Sequence, residues 1–212
     1  MSEKLVVIGN GMAAGRVLDH LFEADPDRYA VTVFGAEPRV NYNRIMLSPV
    51  LSGEKEFADI ITHDEEWYAA HNIDLRRGRA IVAIDRAAKE VVDDAGARTA
   101  YDKLLIATGS MPFIIPVPGK DLKGVVTYRD LDDVNAMLAA AEQGGSAVVI
   151  GGGLLGLEAA AGLSMRGMKV TVIHLMATLM ERQLDAAAGY LLQKAIEQRG
   201  IEVITKANTK AI

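Results

Sequence analysis

Short, predominantly apolar runs alternate along this chain with stretches whose apolar residues recur at helical spacing. Lys4 to Ile8 (KLVVI) is the first such run and Ala30 to Phe34 (AVTVF) the second. Runs that do not alternate predict parallel strands covered on both faces. Between them, Val17, Leu18, Leu21 and Phe22 form one apolar face over Arg16 to Glu23, and Asp25-Pro26-Asp27 breaks the helix. Residues 35–55, with Pro38, Asn41, Asn43 and Pro49, read as loop. Asp64 to Asn72 reads as helix, and Ile73 to Leu75 and Ala80 to Ile84 as strands. Glu90 to Asp94 and Arg98 to Tyr101 flank Gly96 as a hairpin. Lys103 to Ala107 (KLLIA) is a further buried strand, ended by Thr108-Gly109-Ser110, and Pro112, Pro116 and Pro118 mark a linker.

The pattern then starts again. A helix over Asp130 to Glu142, with Asp130, Asp132 and Asp133 complementing its dipole, leads to a strand over Ala147 to Ile150. Leu154 to Met165 is helical, Gly167 stops it, and Lys169 to Ile173 (KVTVI) is a strand. A last helix near Leu184 to Arg199 ends at Gly200, before a strand over Ile201 to Thr205.

Each unit carries a glycine-rich turn between its first strand and its first helix. The first reads Gly9-Asn10-Gly11-Met12-Ala13-Ala14, a G-x-G-x-x-A. Its first glycine allows a tight turn, its second lets backbone approach a pyrophosphate, and the small third residue lets helix and strand pack closely. The helix N-terminus adds unsatisfied N–H groups and partial positive charge, with Met12 and Ala13 in its first turn. Glu37, just past the second strand, stands where an acid accepts from ribose hydroxyls. The second turn, Gly151-Gly152-Gly153-Leu154-Leu155-Gly156, is a complete G-x-G-x-x-G. The residue ending the next strand is His174, neither the acid that marks NAD nor a base that marks NADP, so preference stays open with a lean to NADH. The expectation is an α/β fold of two Rossmann-like units with parallel sheets and a small antiparallel hairpin. Residues 1–115 would be one nucleotide-binding domain and 116–212 the other.

Composition narrows the chemistry. The chain has 212 residues and no cysteine, which excludes a disulfide framework, a cysteine-ligated metal and a redox-active dithiol within it. Net charge is -5. Its longest basic stretch, Arg76-Arg77-Gly78-Arg79, is too short to suggest nucleic-acid or membrane partners. No apolar run approaches the ~20 residues of a membrane helix. The apolar run at the N-terminus, Leu5 to Ile8, is too short for a secretory signal, so a cytoplasmic protein is expected. His63 and His71 flank Asp64, Glu65 and Glu66, but a solvated helix face is the plainer reading than a metal site. No metal site and no catalytic side chain are expected.

Four motifs in fixed order carry a family resemblance: the Gly9 turn, Asn41-Tyr42-Asn43-Arg44 through Leu47-Ser48, Tyr101 to Ser110 (YDKLLIATGS), and Gly151 to Glu158 (GGGLLGLE). Together they resemble the pyridine nucleotide–disulfide oxidoreductase superfamily. Gly9-Asn10-Gly11-Met12, the loop over Asn41 to Ser48 and His174-Leu175-Met176 through Met180 to Asp185 narrow this to the N-terminal part of the nitrite reductase large-subunit family. The resemblance implies FAD on Gly9, Gly11, Met12 and Ala13, with Glu37 on the adenosine ribose and Arg44 along the phosphates and adenine. Ile81 would touch adenine through its backbone, and Ala107, Thr108 and Gly109 would form a second flavin contact. NAD(P)H would lie on Gly151, Gly153, Leu154, Leu155 and Gly156, with Glu158 near the nicotinamide and His174 at the strand end. Hydride would pass from NAD(P)H to FAD and on to an acceptor outside this chain, nitrite in the full-length enzyme. The resemblance places iron–sulfur and sirohaem groups beyond Ile212, so the chain is expected to be truncated, with a homodimer or a small subunit as possible partners. Pro49 stands where related ferredoxin reductases carry a flavin-side lysine, which weakens a ferredoxin-reductase assignment; a stand-alone ferredoxin- or rubredoxin-type reductase is one alternative. A non-catalytic nucleotide-binding fragment is the other alternative.

Overall fold

In the computed structural model, which describes residues 2–212, the first apolar run is strand β1 (Glu3–Ile8) and the amphipathic stretch is helix α1 (Met12–Ala24). Strand β2 (Tyr29–Gly35) follows. The stretch read as loop contains a two-residue strand β3 (Asn41–Tyr42), a 3-10 turn (Arg44–Met46) and helix α2 (Leu47–Ser52). Proline had argued against a helix there. Pro49 lies in the first turn, where the missing N–H has no helical partner to lose. Gly53, at φ +90°, ends α2 in the left-handed conformation.

Next come β4 (Ile61–His63), α3 (Glu65–Ala70) and β5 (Asp74–Arg77). Strands β6 (Ile81–Asp85), β7 (Glu90–Asp93) and β8 (Arg98–Ala100) form a three-stranded antiparallel sheet, larger than the hairpin expected around Gly96. Strand β9 (Lys103–Ile106) pairs parallel with β1 and completes a parallel sheet of order β5-β2-β1-β9. A second small antiparallel pair, β3 with β4, has no counterpart in the sequence reading.

This first unit comprises residues up to Arg44 together with Ala58–Ser110. Both faces of its parallel sheet are covered, as unbroken apolar strands require. On one face Leu5, Val7, Val31 and Val33 pack with Ala14 and Leu18 of α1. On the other, Val6, Ile8 and Phe34 pack with Val91 of β7, joined by Ile81, Tyr101 and Leu104. Each such side chain contributes about 1.5–3 kcal/mol when fully buried.

The second unit comprises Ile45–Phe57 with Met111–Ile212, so the division falls after Ser110 and residues 45–57 leave the first unit for the second. Helix α4 (Leu131–Glu142) opens with a capping box between Asp130 and Asp133, the role read from its acidic start. Strands β10 (Ser146–Ile150), β11 (Lys169–Ile173) and β12 (Glu202–Ile204) pair in parallel in that order. They are connected through α5 (Leu154–Met165) and α6 (Ala186–Glu197). Small residues bring α2 close to α5: a Cβ on Gly162 would meet the Leu51 side chain at 2.8 Å. Arg166, past the end of α5, donates to the carbonyls of Leu51 (2.7 Å) and Val50 (3.1 Å), capping α2. Among the described residues no helix is long and apolar enough to cross a membrane.

Candidate binding sites at two glycine turns

Three helices, α3, α4 and α6, start with an aspartate whose side chain accepts an N–H of the first turn. Helices α1 and α5 start instead at Gly11 and Gly153, with no side-chain acceptor. Their first N–H groups are therefore left for another partner. A Cβ on Gly11, Gly151 or Gly153 would meet nothing within 4 Å, so open space lies in front of both turns. That combination of open approach, bare amides and positive helix end suits a phosphate.

The first turn is built by close approach. Gly9 sits at φ +109°, its N–H donates to Phe34 of β2 (2.8 Å), and a Cβ there would meet the Ala107 carbonyl at 2.2 Å. Ala107, expected to contact the same ligand from the end of β9, is thus brought beside Gly9, followed by Thr108 and Gly109 (φ +72°). Beneath the turn lies a polar brace that sequence reading missed. Asn41 is 1% exposed, and its amide donates to the carbonyls of Asn10 (3.1 Å) and Gly11 (2.8 Å) while accepting from Thr62. Tyr68 donates to Asn10 Oδ1 at 2.6 Å, and burial pushes its phenol up to about 12. The brace ties down the carbonyl side of the turn and leaves the N–H side free. The Asn-Tyr-Asn-Arg motif was its one visible trace in the sequence.

Glu37 pairs with Arg44 and accepts from Tyr42 Oη at 2.6 Å, and the Arg44 guanidinium lies 5.3 Å from the Tyr42 ring. The structure therefore joins two residues that the sequence assigned separate roles. Ile81 packs with Val6, Ile8 and Phe34, two residues after Arg79, whose N–H donates to the Gly35 carbonyl at the Glu37 end of β2.

His63 is not on a solvated helix face, as the charged residues after it suggest, but is buried in β4. Its Nε2 pairs with Asp19 (2.8 Å), and its ring packs on Trp67 at 4.1 Å. His71 packs on Trp67 and Phe22, so the stretch forms an aromatic cluster. Among the described residues no group of three or more His, Asp and Glu side chains is arranged to hold a metal ion.

The second turn repeats the backbone scheme and changes the brace. Gly151, at φ +124°, donates to Ile173 of β11 (2.9 Å), as Gly9 does to Phe34. A Cβ on Gly156 would meet the Gly151 carbonyl at 2.1 Å, which is why a third glycine is needed here. Leu154 and Leu155 are exposed at the start of α5. Glu158, one turn on, accepts from Ser48 Oγ (2.6 Å), which also bonds Tyr128 Oη (2.8 Å). Burial raises the Tyr128 phenol, the Ser48 hydrogen bond opposes this, and Glu158 adds to it.

His174 does not project from the end of β11 as the sequence position suggested. It is 8% exposed and lies under the turn, its Nδ1 accepting from the Gly152 N–H (3.0 Å) and its Nε2 3.0 Å from Glu181. The Gly152 donor assigns the ring proton to Nε2, which donates to Glu181. The Glu181 carboxyl is held below the usual range by its own backbone N–H and then by His174.

Comparison with known proteins agrees with this geometry. The family model described as Pyridine nucleotide-disulphide oxidoreductase matches residues 3–212. The chain is 49% identical over 210 residues to a nitrite reductase [NAD(P)H] of Bacillus subtilis, covering 99% of this chain and 26% of that protein. It is 43% identical over 210 residues to an assimilatory nitrate reductase electron transfer subunit of the same organism, covering 99% and 27%. It thus spans about a quarter of the length of these relatives. Among solved structures, the NADH:rubredoxin oxidoreductase of Clostridium acetobutylicum superposes with TM-score 0.88 at 28% identity, over 99% of this chain and 54% of that one.

Proposed function

Because the chain belongs to the pyridine nucleotide-disulphide oxidoreductase family, we propose that it is the FAD- and NAD(P)H-binding module of an NAD(P)H-dependent oxidoreductase. The observation that carries this reading is the pair of glycine-started helices, α1 and α5, uncapped and open in front while α3, α4 and α6 carry aspartate caps. The bare amides at Gly11, Met12 and Ala13 would hold the FAD pyrophosphate. The paired Glu37 and Arg44 would orient the adenosine end. Ala107, Thr108 and Gly109 would meet the same cofactor from the end of β9. The amides of Gly153, Leu154 and Leu155 would hold the NAD(P)H pyrophosphate, with Gly151 and Gly156 shaping the turn. Glu158, fixed by Ser48, would stand on the nicotinamide side.

When both nucleotides are bound, they supply hydride transfer from nicotinamide to flavin. No side chain acts as nucleophile, and a chain without cysteine holds no dithiol to take the electrons onward. The electrons leave for an acceptor outside these residues. The 49% identity to a nitrite reductase supports nitrite reduction as the destination in the whole protein. The 43% identity to an assimilatory nitrate reductase electron transfer subunit supports a second reading, with nitrate reductase as acceptor.

The test is the visible spectrum of the purified chain supplied with FAD, recorded before and after anaerobic addition of NADH. The expected result is a bound-flavin band that bleaches with NADH. No bound flavin would overturn the reading for the first turn. A flavin band indifferent to both NADH and NADPH would overturn it for the second.

A further inference from the structure

The backbone of Gly152 is held through both of its polar groups. Its N–H donates to His174 Nδ1 at 3.0 Å, and its carbonyl accepts from the Met180 N–H at 3.0 Å. The imidazole also occupies the space a side chain would need: a Cβ on Gly152 would meet Leu179 at 2.5 Å and His174 Cγ at 2.8 Å. Both nitrogens of the ring are used, since Nε2 donates to Glu181. A buried N–H without an acceptor costs about 1–3 kcal/mol, and among the described residues His174 Nδ1 is the acceptor this one has.

We propose that His174 is the positioning residue of the second glycine turn: as the Nε2–H tautomer it accepts from Gly152, and so holds the turn in the shape that offers the α5 amides to the dinucleotide. The side chain touches neither cofactor. It acts through the Gly151–Gly152 peptide plane, and Glu181 acts one step further back by keeping the ring in that tautomer. The first turn achieves the same end differently, with Asn41 bonding the carbonyls of Asn10 and Gly11. This inference rests on the reading of the second turn as the NAD(P)H site.

Two variants separate the two hydrogen bonds of the ring. Asparagine places an acceptor oxygen where Nδ1 stands, so His174→Asn keeps the Gly152 bond and loses Glu181. Glutamine reaches the place of Nε2, so His174→Gln keeps a donor to Glu181 and leaves Gly152 without its acceptor. Two readouts are compared in the full chain: hydrogen exchange of the Gly152 amide without nucleotide, and NADH affinity by fluorescence titration. His174→Asn is expected to retain wild-type protection and affinity. His174→Gln is expected to lose about tenfold in each, the equivalent of roughly 1.4 kcal/mol. Wild-type behaviour in His174→Gln, or an equal loss in both variants with unchanged thermal stability, would overturn the proposal. If either variant fails to fold, amide exchange in Glu181→Leu, which removes the acceptor of Nε2–H, takes its place: Gly152 protection falling severalfold supports the tautomer argument, and unchanged protection overturns it. Wild-type chain that binds neither NADH nor NADPH would remove the nucleotide reading. The Gly152 exchange rates would still decide whether His174 holds the turn.

Discussion

Two glycines of the first turn do different work, and single substitutions separate them. Gly9→Ala puts a methyl group at φ +109° and 2.2 Å from a backbone oxygen. It is expected to cost more than the roughly 1 kcal/mol of left-handed strain alone, read as a lowered midpoint in chemical denaturation. Gly11→Ala meets nothing within 4 Å and keeps an ordinary φ of -96°. That variant is expected to fold with near wild-type stability and to lose flavin binding in a titration, because its methyl group occupies the phosphate's path. Tyr68 gives a pH signature. Its phenol is raised from 10.0 to about 12 in the folded chain, so an unfolded chain releases this proton first. The associated stability is complete below pH 10 and declines as pH rises toward 12. Tyr68→Phe is expected to flatten that slope in denaturation curves measured across the window. The turn glycines were legible in the sequence because their spacing and strand–helix context carry the meaning. Asn41, Tyr68 and His174 were not, because each acts through a fold contact that spacing does not encode. His174 even stood at a position that suggested a different, outward role.

At the scale of elements, the periodic segments were readable and the aperiodic one was not. Helix α5 and strand β11 match their sequence boundaries residue for residue. Helix α5 lies between Gly153 and Gly167, β11 follows Gly167, and both are rich in apolar residues. Helix α2 is six residues long with a proline inside, and its stability comes from packing against α5 and from the Arg166 cap. Arg166→Ala is expected to cost about 1 kcal/mol. It should also speed hydrogen exchange of the Gly53 and Glu54 amides, which close the end of α2 on Pro49. A uniform change in exchange across the second unit would contradict this local role. The same packing accounts for the grouping of residues 45–57 with the second unit. Residues 45–57 belong with the later part of the chain because the small residues of α5 receive them.

For the molecule as a whole, the repeat is exact in backbone plan and unequal in cover. Val6 and Ile8 of β1 are 1% and 6% exposed under the β6–β8 sheet. Their counterparts in β10, Val148 and Ile150, precede Gly151 in the same register and are 60% and 41% exposed. Ile204 of β12, facing the same way through its pairing with Ile173, is also exposed. The chain is expected to bind a fluorescent apolar dye under native conditions, and Val148→Thr with Ile150→Thr to reduce that binding. Equal dye fluorescence before and after the substitutions would refute the assignment of this face.

That bare face, bordered by β10, which among the described residues pairs only with β11, also sets a kinetic order. An apolar strand with a free edge meets a like edge on another molecule at a rate that rises with the square of concentration. Dilute chain should therefore keep its nucleotide-binding behaviour for long periods, while concentrated chain should lose it at a rate set by encounter frequency, with substitutions at Val148 slowing the loss.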